Sequence, residues 1–222
     1  MLTWDNVVTS HGGSAPRILI HGHPKTGKTT WAASAPRPIF LATERGLGRT
    51  VQLRNVPAFF IESWDKFPEA IKMLFANADK FDTVVVDSVD HLEAMAGVVV
   101  AQLAGAASVE KIGFNKGPGL VAEFIREKYD PMMRGLQNKL NKTVIEICHS
   151  QTVKENAPDA AAPISRVIPK LHKGTVELLR EQGVGGAVIV AFYMLVDWDD
   201  MIATVDSWVP RDHVEAVRAL GR

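Results

Sequence analysis

Residues 18–30 read ILIHGHPKTGKTT, and this stretch constrains the fold of the chain more than any other. Gly22, Gly27, Lys28 and Thr29 fit the phosphate-loop pattern G-x-x-x-x-G-K-[ST] in full. Each residue type has a chemical reason. The two glycines let the backbone fold tightly and aim N–H groups at phosphate oxygens. Lys28 supplies a point charge for the β- and γ-phosphates, and the Thr29 hydroxyl is a magnesium ligand. His23, Pro24, Lys25 and Thr26 form the body of the loop, and Thr30 follows it. Such a loop requires a buried strand before it and a helix behind it, whose positive end faces the phosphates. The apolar run 17–21 and the helix-like composition of 28–35 supply both. The competing reading is an ordinary strand-to-helix turn.

The rest of the chain continues that alternation. Residues 38–42, PIFLA, and 56–61 read as strands. Residues 64–78 place apolar side chains at 67, 70, 71, 74 and 75, which is helical spacing. The β-branched run 83–86 reads as a central strand, 89–106 as a helix and 107–119, rich in glycine, as a loop. Helical pattern returns over 120–140 with an interruption at Pro131. A strand is expected at 143–148 and a long irregular loop over 151–170, which holds three prolines. A helix at 173–182 and a strand at 187–196 complete the pattern. The class is α/β, with a mainly parallel central sheet flanked by helices. A length of 222 residues suits a single domain over 1–222.

Charge and cysteine content narrow the setting. Twenty-five basic residues balance 25 acidic ones, which argues against a sheath of positive charge but leaves room for a local basic groove. The one cysteine, Cys148, has no partner for an intramolecular disulfide and belongs to no zinc framework. It reads as a small buried hydrophobe. Residues 1–10 lack a basic region followed by an apolar one, so no secretory signal is expected. The apolar run 184–196 is too short to span a bilayer. A cytoplasmic setting and no membrane partner are expected.

A phosphate loop needs a further carboxylate near its magnesium. FDTVVVDSVDHL offers Asp87 at the end of a β-branched strand, either for Mg2+ or as a cap for the next helix. Ser88 and Asp90 lie close by, Asp90 reading as a solvated acid at the helix start. Taken with PIFLATERGL and VPAFFIESWDKFPEAIKML, this segment resembles the core of RecA-like P-loop ATPases. It is most similar to small phage-encoded RecA-like proteins of the single-strand annealing or minimal recombinase type, AAA-type ATP-binding proteins. The resemblance covers roughly 17–182, and TERGL and PKLHK narrow it.

The resemblance implies site residues one by one. Glu44, in LATERGL, matches the acid that polarises the attacking water, against the alternative of surface pairs with Arg45 or Arg49. His149, in VIEICHSQ, matches the polar residue that senses the γ-phosphate, an assignment that can slide to Gln151 or give way to a simple strand cap. The stretch after it matches a loop that contacts single-stranded DNA, with Lys154, Arg166 and Lys170 as phosphate partners. The second candidate for DNA is VEKIGFNKGPG, with Lys111, Lys116 and Phe114, whose ring can stack on a base.

The implied protein binds ATP and Mg2+, hydrolyses ATP and acts on single-stranded DNA in phage recombination, promoting annealing in the host cytoplasm. Lys28, Glu44 and His149 are its expected catalytic residues. It is expected to assemble head to tail into a ring or filament, and a single-strand DNA-binding protein is a further expected partner. Arg166, Lys170, Lys173 and Arg180 are candidates to complete a neighbour's site. The alternatives are a nucleotide-gated interaction or structural module with little hydrolysis, and a small-molecule kinase. The segment from about 183 onward does not follow the family's pattern, which leaves any C-terminal DNA or subunit contact open.

Overall fold

The computed structural model describes residues 15–44, 55–155, 164–181 and 188–191. Strand β1 (Arg17–Gly22) is buried along its whole length, and its apolar centre, Ile18, Leu19 and Ile20, suits a strand covered on both faces. It leads through the loop 23–27 into α1 (Lys28–Ala32). Then follow β2 (Pro38–Ala42), β3 (Ala58–Phe60), α2 (Lys66–Ala76), β4 (Thr83–Asp87) and α3 (Val89–Leu103). The chain continues through α4 (Gly117–Phe124), a π-helical turn (Ile125–Tyr129), α5 (Asp130–Leu140), β5 (Thr143–Glu155), β6 (Ile164–Pro169), α6 (Lys173–Glu181) and β7 (Val188–Ala191).

The sheet order is β3-β2-β4-β5-β1-β7, and every neighbouring pair along it is parallel. The exception to parallel pairing is β6, which runs antiparallel to β5. The expected α/β class, with a mainly parallel sheet flanked by helices, is thus the architecture the chain adopts. Leu19, Leu41, Val84, Val86 and Val144 point to one face and pack with Phe67, Ile71 and Leu74 of α2, Leu92 and Ala96 of α3, and Met133 and Leu136 of α5. Ile18, Ile20, Val85 and Ile145 alternate to the other face and are also buried. Among the described residues no helix is long and apolar enough to cross a membrane.

Several local expectations need correction. Within the stretch 151–170, expected to be an irregular loop, the described residues 151–155 and 164–169 are strand: β5 runs on to Glu155, and β6 pairs with it in register from Ser150↔Pro169 to Glu155↔Ile164, while 156–163 lie outside the described residues. Pro169 is the last residue of β6, at the end of the ladder, where a proline does not break the pairing. The helix expected over 28–35 stops at Ala32. Ser34 turns its hydroxyl onto the Trp31 carbonyl at 2.6 Å, and Pro36 disfavours helical backbone just before it.

The loop expected through Gly119 already becomes helical at Gly117. A Cβ there would meet the Val109 carbonyl oxygen at 2.1 Å, so only glycine admits this approach. The interruption near Pro131 is the π turn before it, after which α5 begins at Asp130 with Pro131 as its second residue. Of the strand expected over 187–196, only β7 lies within the described residues. The expectations for residues 1–10 and for the tail after 191 lie outside them.

One element of the core is charged. Arg17, Tyr129, Asp130 and Glu146 are all 0% exposed. Arg17 gives Nε and Nη2 to the two Glu146 oxygens at 3.2 and 2.8 Å, and Nη1 to Asp130 Oδ1 at 2.6 Å. The Tyr129 hydroxyl donates to Glu146 Oε1 at 2.5 Å. Burial and the Glu146 charge push the Tyr129 hydroxyl well above the ordinary tyrosine range. The cluster ties β1, β5 and the π turn together, below the edge of the sheet that carries the phosphate loop.

Candidate functional site

The register of the sheet brings the sequence-predicted residues to one edge. Gly22 at the end of β1 pairs with His149 of β5, and Asp87 at the end of β4 pairs with Ile147 of β5 and Ala42 of β2. The carboxyl ends of β1, β2 and β4 therefore meet at one level, beside residues 147–149 of β5, at the edge where parallel α/β sheets bind ligands. A cavity of about 330 Å³ opens there. Residues 24–30 of the phosphate loop line one side of it, and Glu44, Asp87, Ile147 and His149 line the other.

The loop has the backbone its sequence demands. Gly27 is left-handed, with φ 97° and ψ 5°, which favours glycine at this position. Gly22 shows no such geometry and closes β1 as a buried residue. The Thr26 hydroxyl donates to the His23 carbonyl at 2.9 Å and closes the turn. Lys28 is 6% exposed, and its ammonium donates to the Gly22 and His23 carbonyls at 2.8 Å each. An ammonium has three donors, so this leaves one for an anion in the cavity. Burial holds the Lys28 pKa below the ordinary lysine range, with the Asp87 carboxylate opposing that shift.

Opposite the loop, Thr29 Oγ1 donates to Asp87 Oδ2 at 2.9 Å. The Asp87 carboxylate therefore turns to the phosphate loop and does not cap α3, whose N-cap residue, Ser88, makes no side-chain cap bond. Burial raises the Asp87 pKa above the usual carboxylate range, and the Glu44 charge adds to the rise against the Thr29 hydrogen bond. A hydroxyl and a destabilised carboxylate side by side are hard oxygen ligands. They fit Mg2+, which is commonly held by one or two carboxylates together with substrate phosphates.

Glu44 does not stand alone. Ser88 Oγ donates to its Oε1 at 2.7 Å, and His91 Nδ1 lies 2.9 Å from the same oxygen. Arg45 and Arg49, the alternative partners for Glu44, lie outside the described residues. Asp90 corrects an expectation: it is not a solvated acid but 8% exposed. It accepts the His149 backbone N–H at 3.1 Å and lies 2.9 Å from His149 Nδ1. Despite its burial, its pKa is held below the usual range by these bonds to His149. His149 thus lines the cavity, whereas Gln151 turns its amide to the Pro169 carbonyl at 3.4 Å. His91 was missed in the sequence. Its signal was its place one residue after Asp90, in the first turn of a helix that begins directly after the strand of Asp87.

The DNA candidates fall on two exposed stretches. Lys154 lies exposed on β5, and Arg166 stands opposite Val153 in the ladder with β6. Lys170 is exposed, and its backbone N–H donates to the His149 carbonyl at 2.7 Å. Lys111 and Lys116 are exposed, and Phe114, 94% exposed, carries the Lys116 ammonium 5.7 Å from its ring centre. Both stretches border one cavity of about 590 Å³, lined by Ser108 and Glu110 from one and by Lys170 and His172 from the other. Cys148 is buried, and burial pushes its thiol above the range in which it could act as a nucleophile near neutral pH.

Residues 14–183 match the family model AAA_24, an AAA domain. The SPbeta prophage-derived uncharacterized protein YorG of Bacillus subtilis (strain 168) is 31% identical over 156 residues. The match covers 67% of this chain and 45% of that protein, so the chain spans less than half the length of the relative it matches. Among solved structures, the KaiC-like protein PH0186 from Pyrococcus horikoshii OT3 aligns with a TM-score of 0.35 at 16% identity, over 72% of this chain and 80% of that one. The RadB recombinase aligns with a TM-score of 0.36 at 17% identity, over 69% and 70%.

Proposed function

Because this chain belongs to the AAA_24 family of AAA domains, we propose that it is an ATP-hydrolysing, RecA-like protein that acts on single-stranded DNA in phage recombination. The observation that carries the ATPase reading is the pairing of Thr29 with Asp87 at 2.9 Å across a cavity whose other walls are the Lys28 loop, Glu44 and His149. Backbone amides of residues 25–29 and the Lys28 ammonium bind and orient the phosphates. Thr29 and Asp87 would hold Mg2+, which neutralises charge on the transferred phosphoryl group. Glu44 accepts a proton from the attacking water as the bond to the leaving ADP breaks. Positioning and electrostatics, with little covalent chemistry by the protein, are the usual basis of this reaction.

The DNA part rests on the link from His149 to Lys170 through the 2.7 Å backbone bond. A shift of His149 on phosphate release would move the end of β6 and the basic residues Lys154, Arg166 and Lys170 with it. Lys111, Phe114 and Lys116 form a second candidate contact, across the cavity that both stretches border. Assembly into a ring or filament would bring several such basic stretches together in a chain of zero net charge. Arg166, Lys170, Lys173 and Arg180 remain the candidates for a contact to a neighbour's phosphates. The reading takes 1–222 as one RecA-like domain that promotes annealing.

Two measurements test these readings. Lys28→Ala removes the charge on the phosphates, so ATP affinity is expected to fall by about tenfold or more. Unchanged affinity and turnover would sink the phosphate-loop assignment. Replacing Lys154, Arg166 and Lys170 together with Ala is expected to weaken single-strand binding and flatten its slope against salt, because fewer counterions are released. ATP binding by the isolated subunit should stay nearly intact. Affinity across a salt series, with ATP and with ADP, decides the matter. If the wild-type protein binds no single strand at low salt in either state, the recombination reading fails and a nucleotide-gated interaction module replaces it.

A further inference from the structure

The carboxylate of Glu44 is held by the start of α3, a feature the phosphate-loop pattern does not provide. Ser88 Oγ and His91 Nδ1 converge on Glu44 Oε1 at 2.7 and 2.9 Å. A second imidazole is close, but His149 Nδ1 is 3.7 Å from that oxygen and 2.9 Å from Asp90 Oδ2. The two rings are 6.0 Å apart, and each faces its own carboxylate. We propose that His91 is a positioning residue for Glu44, fixing the orientation of the carboxylate that takes the proton from water. The proposal rests on the reading of Glu44 as the general base.

The physical case is one of rotamers. A glutamate has three side-chain torsions, and Glu44 is one-third exposed at 33%, so packing alone does not fix it. One hydrogen bond from Ser88 sets a distance but lets the carboxylate turn about it. A second donor from another direction removes that freedom. Residues 88 and 91 are three apart at the start of α3, so they present their donors from one face and move as a unit. The imidazole donates from Nδ1 both when neutral in that tautomer and when protonated. A polar contact between partly exposed side chains stabilises a fold little, and His91 is 46% exposed. A loss of turnover on its removal therefore reports on Glu44 and not on the fold. His91 does not line the cavity that holds the phosphate loop, which separates its effect from substrate binding.

The test uses the full chain and four variants: His91→Ala, His91→Asn, Glu44→Gln and the double His91→Ala/Glu44→Gln. Asparagine carries an amide N–H near the position of Nδ1, so it keeps the donor and loses the ring. In His91→Ala, kcat for ATP is expected to fall roughly tenfold or more, since a misplaced catalytic group costs up to about 100-fold. KM and ATP affinity should change by less than about twofold, because the contact is outside the cradle. His91→Asn should restore most of kcat. In the Glu44→Gln background, His91→Ala should add nothing, as expected of two residues that act as one unit.

An unchanged kcat in His91→Ala overturns the inference, as does His91→Asn behaving no better than His91→Ala. Equal loss in both variants together with lost ATP affinity assigns His91 to the fold, which also overturns it. If Glu44→Gln alone keeps full turnover, the reading of Glu44 as the base has failed, and the role of His91 falls with it.

Discussion

In Glu44→Gln, ATP is expected to bind as before and turnover to fall by a factor on the order of a hundred or more. The substitution keeps the shape of the side chain and its bond from Ser88, since the amide oxygen can accept where Oε1 did. It removes the basicity. The cradle is untouched, because Lys28 and Thr29 make their contacts to Gly22, His23 and Asp87 and not to Glu44. The two quantities therefore separate: equilibrium affinity for ATP reports the loop, and single-turnover hydrolysis reports the base. Survival of turnover would move the role to another carboxylate. Asp87 is then the first alternative, because it lines the same cavity, whereas Asp90 is engaged by His149 through both backbone and ring.

Arg17→Met is expected to destabilise the protein by about 3–5 kcal/mol, the usual cost of removing one partner from a buried ion pair. The reason lies in what stays behind. Glu146 loses two of the hydrogen bonds to its carboxylate and Asp130 loses one, in a region where all four residues of the cluster are fully buried. Tyr129 and Arg134 remain as single partners, the latter 2.7 Å from Asp130 Oδ2 and 45% exposed. Replacing Arg17, Glu146 and Asp130 together with apolar residues of similar volume should cost far less, because no unpaired charge remains. Urea unfolding of the two variants checks this. A loss below about 1 kcal/mol in Arg17→Met would mean that water or a rearranged neighbour satisfies both carboxylates.

The legible parts of this protein are those set by neighbours in the chain. The turn at Gly27, the apolar run of β1 and the helical spacing of α2 each follow from steric and hydrophobic rules acting over a few residues. Strand β2 could be read to its ends because PIFLA is bounded by prolines and polar residues. The antiparallel pairing of β5 with β6 was not legible, because each strand is held by the other, and the sequence around them carries prolines that also mark loops. Asp90 was misread for a similar reason. An acid in the first turn of a helix is usually solvated, and only the arrival of His149, 59 residues away in sequence, makes its burial favourable.

Local sequence was enough to set a phosphate loop between a buried strand and a helix, and to put Asp87 at the end of a second buried strand. It did not determine the order of those strands. Strand β5 inserts between β1 and β4, which sets His149 level with Gly22 and Ile147 level with Asp87. That insertion assembles the site, and it also places Glu146 beside Arg17 below it. Pairings such as Arg17 with Glu146, 129 residues apart, depend on which strand edges meet once the apolar faces are buried. Local propensity is the same for every such order; the choice among them is made by the packing of the whole sheet against its helices.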